Sequence, residues 1–129
     1  MEKRTYLRIA KLLFAESRNG CGKAMKINDI CIQMLPAGSG DCIYIEFTNA
    51  NFRMLIDGGY VKTYQDFLKN FLIKLKKDGK RLNLVIVTHV DDDHINGLKA
   101  LLRENGTSEN PNIIGINEIW FNGLKQCIA

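Results

Sequence analysis

The sequence predicts an α/β fold in which a β-meander precedes alternating helices and strands, and three observations predict it. Residues 30–56 hold three short apolar runs separated by turn residues, the pattern of antiparallel strands joined by tight connections. Residues 64–75 switch to a helical period, with apolar positions recurring every three or four residues. Residues 82–87 form an unbroken apolar run, as expected of a strand buried on both faces. The resulting order, β-β-β-α-β-α-β, joins a meander to a parallel-type crossover and implies layered packing.

Taken in order, residues 5–16 carry Tyr6, Leu7, Ile9, Leu12, Leu13 and Phe14 among basic side chains. They suggest a short helix with one apolar side, ended by Asn19-Gly20-Cys21-Gly22. Ile30 to Leu35 reads as the first strand, and Pro36-Ala37-Gly38-Ser39-Gly40-Asp41 as a glycine-rich turn. Cys42 to Phe47 and Phe52 to Ile56 are the next two strands, the last running into Asp57-Gly58-Gly59. Tyr64, Phe67, Leu68, Phe71, Leu72 and Leu75 share one face of an amphipathic helix, with Thr63 as its candidate N-cap and Gly79 as its stop. Leu82 to Val87 follows as a strand. Ile95, Leu98, Leu101 and Leu102 mark a second helix ending near Asn105-Gly106, and Glu118 to Phe121 reads as a last strand.

The 129 residues are 46% hydrophobic and 25% charged, an ordinary globular balance for one domain. No apolar run approaches the roughly 20 residues of a membrane span, so no membrane partner is expected. The N-terminus lacks the continuous apolar core of a secretory signal. Cys21, Cys31, Cys42 and Cys127 fit no zinc-finger or CxxC spacing, and free thiols in a reducing compartment, the cytoplasm, are expected. Charge is uneven: residues 1–26 hold seven basic and two acidic side chains, whereas the rest holds eleven basic and twelve acidic. That division sets residues 1–26 apart as a basic extension, helical or preceding a native start at Met25, and residues 27–129 as the domain. The extension could meet nucleic acid; the plainer reading is a solvated helical extension, or a stretch upstream of the native start.

The most informative segment is Thr88-His89-Val90-Asp91-Asp92-Asp93-His94. Imidazole and carboxylate are ligands for borderline-to-hard divalent metals. Both histidines of the chain lie here, on a loop leaving the end of a buried strand, where α/β proteins place chemistry. His89 and Asp91 can project together, and Asp93 and His94 open the following helix. Two neighbouring metals would suit that division. The plain alternative is a solvated acidic turn with Asp91 and Asp92 capping the helix.

Thr88-His89-Val90-Asp91-Asp92-Asp93-His94-Ile95-Asn96-Gly97 resembles the signature loop of the metallo-β-lactamase (MBL) fold hydrolases, T-H-x-H-x-D-H-x-x-G. Asp91 stands where the family has its second histidine. That variant resembles the hydrolase domain of the ComEC-type DNA-uptake proteins. Met34 to Ile43 is similar to the same subgroup's "vGqGDai" turn, and Leu55-Ile56-Asp57-Gly58-Gly59 to its "lIDgG" strand end. The resemblance spans roughly residues 28–105. It implies a metal-dependent hydrolase that acts on phosphodiesters of nucleic acid through a metal-activated water, with Zn²⁺ as one or two ions. Asp91 in place of a histidine hardens the site toward Mn²⁺ or Mg²⁺. His89 and Asp91 would hold the first metal, Asp93 and His94 the second, and Asp93 would also orient or deprotonate the water. Asp57 would brace the loop by hydrogen bonds, supported by Gly58 and Thr88.

The family completes its site with a further histidine, a bridging aspartate and a last histidine, and no histidine follows His94 here. The resemblance therefore implies the N-terminal half of an MBL αβ/βα sandwich, truncated at the C-terminus. Such a half would leave one sheet face without its partner, inviting self-association or a C-terminal partner chain. Two readings follow: a hydrolase represented by its metal-loop half, or a non-catalytic remnant or metal-binding module.

Overall fold

The computed structural model describes residues 23–121. The expected helix over 5–16, most of the basic segment, and Cys21 and Cys127 lie outside the described residues. β1 (Lys23–Ile27), β2 (Ile30–Met34), β3 (Ile43–Phe47) and β4 (Phe52–Ile56) form an antiparallel meander. Asn28 and Asn51 turn two of its connections with φ of 50°, a left-handed conformation that asparagine tolerates. β1 draws residues 23–26 into the sheet, where the sequence had suggested an extension. β5 (Leu82–Val87) lies parallel to β4, and β6 (Ile116–Phe121) parallel to β5. The six strands run in sequence order.

The crossover between β4 and β5 is helical: α1 (Val61–Thr63), a π-helical turn (Tyr64–Leu68) and α2 (Lys69–Lys77) run on continuously. The helix begins at Val61 after Tyr60 rather than at the expected cap Thr63, which is buried inside it. The chain enters through Gly58 and Gly59, packed closely against Leu98 and Thr63. A Cβ on Gly59 would lie 2.7 Å from the Thr63 hydroxyl oxygen. The π-helical turn lets Tyr64, Leu68 and Leu72, spaced by four, all reach full burial. Gly79, with φ of 74°, ends the helix by donating to the Lys76 carbonyl at 3.0 Å. The second crossover carries α3 (Asp92–Asn105). Asn105 holds the loop beyond it, accepting from the Ile113 and Ile114 amides at 2.9 Å each.

Tyr44, Leu55 and Val85 face the helices from the sheet and pack with Leu68, Leu72 and Leu101 in one core. The opposite face carries half-buried Ile32, Ile45 and Met54 in register. Its polar counterpart lies on the helix side at the far end of β3 and β4. There Glu46 accepts from the Tyr44 hydroxyl at 2.6 Å and from Arg53 Nε and Lys80 Nζ at 3.3 Å each. Burial by itself would raise the Glu46 carboxyl. The hydrogen bonds from Tyr44 and Lys80, with the charges of Lys80 and Arg53, outweigh it and hold the group below the usual range. No helix among the described residues is long and apolar enough to cross a membrane.

Candidate metal centre

Parallel pairing brings the C-terminal ends of β4 and β5 side by side, the edge where open α/β sheets bind ligands. Asp57 leaves β4 with φ of 58° and continues the ladder by donating its N–H to the Ile86 carbonyl at 2.9 Å. Its side chain is 1% exposed. Oδ1 accepts the Thr88 amide at 2.8 Å, and Oδ2 accepts the Thr88 hydroxyl. Oδ2 also lies 3.0 Å from Nδ1 of His94, which is 3% exposed. A carboxylate only accepts, so Nδ1 donates in this bond, and a neutral ring with that tautomer keeps its lone pair on Nε2. That nitrogen faces Asp93 Oδ1 at 3.6 Å.

His89 lies beside this pair. Its ring centroid is 4.9 Å from that of His94, and its Nδ1 is 3.0 Å from the Thr88 hydroxyl. Ligand-type atoms of Asp57, His89 and His94 all fall within 4.8 Å of one another. Distance alone would make Asp57 a ligand. Both its oxygens are already engaged, by Thr88 and by His94. Of the other residues singled out, Asp93 sits half-buried in the first turn of α3. Asp91 occupies the N-cap position, exposed and outside the tight group, and its side chain makes no capping bond. Its carboxylate is therefore not spent on the helix. Asp92 is exposed.

The loop is set by main chain as much as by side chains. Gly58 N–H donates to the His94 carbonyl, and Gly97 N–H to the Gly59 carbonyl, each at 2.9 Å. This approach leaves no space for a side chain: a Cβ on Gly97 would lie 1.8 Å from the Gly58 carbonyl oxygen. The β2–β3 turn closes from the other side, where a Cβ on Gly40 would lie 1.8 Å from the Asp93 carbonyl oxygen. The structure brings Asp41 Oδ2 to 3.5 Å from His94 Nδ1. Cys42, next in sequence, is buried. Burial, reinforced by the charges of Asp57 and Asp41, pushes its thiol up to about 12, so it stays protonated.

Two imidazoles, one buried and oriented by a carboxylate, with further carboxylates beside them, are the donor set of a divalent metal centre. The chain belongs to the metallo-beta-lactamase superfamily, whose family model matches residues 35–109, more than half of the sequence. Among solved structures it is similar to a metallo beta lactamase from Erythrobacter litoralis with beta mercaptoethanol in the active site. The identity is 15%, covering 71% of this chain and 41% of that one, with a TM-score of 0.44. It is also similar to the metallo-beta-lactamase FIM-1 from Pseudomonas aeruginosa in the mono-zinc form, at 19% identity over 69% of this chain and 41% of that one, TM-score 0.40. The chain thus spans 41% of the length of either. The six-stranded sheet with its helices on one face is part of the superfamily's αβ/βα sandwich.

Proposed function

We propose that this chain is the metal-loop portion of a metal-dependent hydrolase of the ComEC-like subgroup, acting on phosphodiesters in nucleic acid. The observation that carries the metal site is the buried Asp57–His94 pair, which leaves one imidazole nitrogen free beside His89 and Asp93. The phosphodiester substrate rests on the resemblance of Thr88–Gly97, with Asp91 at the second histidine position, and of the Gly40-Asp41 and Asp57-Gly58 turns. The donor set fits Zn²⁺, and the carboxylates Asp91 and Asp93 also suit Mn²⁺ or Mg²⁺. His89, Asp91, Asp93 and His94 would hold the ion or ions. A divalent ion there acts as a Lewis acid and lowers the pKa of bound water. The protein's part is to fix His94 through Asp57, keep the His94 proton on Nδ1, and present Asp93 to orient the water and take its proton.

Only two imidazoles occur in the chain, fewer ligands than a two-metal hydrolase uses. The remaining ligands are therefore assigned to another segment, a partner chain or a second copy. The test is to load the purified chain with Zn²⁺ or Mn²⁺ and assay bis(p-nitrophenyl) phosphate and single-stranded DNA. Metal binding with hydrolysis close to background is expected of the chain alone. A defined kcat that Asp93→Ala abolishes would show a self-sufficient enzyme. The same scarcity of ligands favours a second reading, a non-catalytic metal-binding module, which predicts binding but no hydrolysis with any added partner.

A further inference from the structure

We propose that Asp41 is a positioning residue of the metal site, a second carboxylate that holds His94 in its ligating orientation. This inference rests on the reading of the loop as a metal site.

Asp41 reaches the site from outside the signature loop, on the turn between β2 and β3. The turn is itself closed: Gly40 N–H donates to the Ala37 carbonyl and Leu35 N–H to the Cys42 carbonyl, each at 2.9 Å. Gly40 packs against the Asp93 carbonyl with no space for a side chain. The Asp41 carbonyl accepts the Gly59 N–H at 2.9 Å. The backbone of Asp41 is thus tied to the segment that follows Asp57. Its carboxylate then has one near neighbour of opposite character: Oδ2 lies 3.5 Å from His94 Nδ1. Among the described residues no lysine or arginine pairs with it, while its side chain is 42% exposed.

The same ring nitrogen therefore faces two carboxylates from two different turns. Asp57 is locked by Thr88 and accepts the hydrogen bond from Nδ1. Asp41 adds negative potential on that side of the ring, which favours electron donation from the other nitrogen to a cation. Carboxylates behind a ligating histidine raise its basicity, and their loss typically costs ten- to a hundredfold in metal affinity. Asp41 faces the nitrogen already engaged by Asp57, not the one turned to Asp93, so its part is to position and polarise His94.

The experiment is Zn²⁺ and Mn²⁺ titration of the full 129-residue chain by calorimetry, with the melting temperature of the metal-free protein measured alongside. Asp41→Asn keeps the backbone contacts and removes the charge. It is expected to weaken both metals about tenfold while the metal-free protein melts as before. Ser39→Ala, in the same turn, removes the hydroxyl that bonds Tyr60 at 2.9 Å and is expected to leave affinity unchanged. Wild-type affinity in Asp41→Asn overturns the proposal and leaves the metal site standing. So does an equal loss in Ser39→Ala, which would trace the effect to packing of the turn. No binding by the wild-type chain overturns both this inference and the reading of the site.

Discussion

Thr88 binds Asp57 twice, through its amide to Oδ1 at 2.8 Å and through its hydroxyl to Oδ2. The first residue past β5 is thereby clamped to the first residue past β4, and the loop that carries His89 and His94 starts from a fixed point. Asp57→Asn tests the clamp cleanly, because asparagine also tolerates φ of 58° and only the charge and one acceptor are lost. A hydrogen bond to a charged buried group contributes about 1.5–3 kcal/mol. Urea denaturation of the metal-free chain is expected to show a loss in that range. No loss would mean that the carboxylate is not what holds the loop.

The seam between Gly58 and Gly97 predicts the sign of an unusual helix substitution. Alanine ordinarily gains about 1 kcal/mol over glycine inside a helix. At Gly97 the added carbon meets the Gly58 carbonyl at 1.8 Å, so the helix and loop have to separate. Overpacking of this kind costs about 1–3 kcal/mol, and two hydrogen bonds stretch with it. Gly97→Ala is expected to lower the melting temperature; an increase would show that the seam yields.

Acid should weaken the fold through Glu46. Its folded-state pKa lies below the unfolded value of about 4.3, held there by Tyr44, Lys80 and Arg53 against the cost of burial. Its contribution to stability is present above the unfolded pKa and is lost as pH falls through the folded one. Stability measured from pH 6 down to pH 3 is expected to fall less steeply in Glu46→Gln than in the wild type. Parallel curves would place the acid sensitivity elsewhere.

Metal and stability are coupled if the site binds in the folded state alone. Zn²⁺ at a hundredfold its dissociation constant then stabilises by about 2.7 kcal/mol. The melting temperature is expected to rise with Zn²⁺ and return on chelation. In His94→Gln the rise should vanish; a rise that persists in that variant would locate the ion away from this loop.

Much of this arrangement is written in local patterns. The alternation of Cys42, Tyr44 and Glu46 on one face, and the run from Leu82 to Val87, give strands because side-chain direction follows the backbone period. Strand β1 escapes such reading, since Lys23-Ala24-Met25-Lys26-Ile27 contains two lysines and no apolar alternation and owes its place to pairing with β2. The π-helical turn is equally hidden. It adds one residue to a turn without disturbing the spacing of Tyr64, Leu68 and Leu72. At the site, the clustering of His89, Asp93 and His94 is legible because they are close in sequence. The place of Asp41 is not, because its approach to His94 depends on two glycines letting separate segments touch.

The mixed sheet also sets an order of assembly. β1 to β4 are joined by short connections, whose closure costs little chain entropy, whereas β5 joins only after a helical crossover. The meander can form while His89 and His94 are still far from any partner, so the loop is expected to acquire its shape after the meander. Pulsed amide exchange during refolding would register this as protection at Tyr44 and Leu55 ahead of Thr88. Simultaneous protection would mean that the clamp belongs to the folding nucleus.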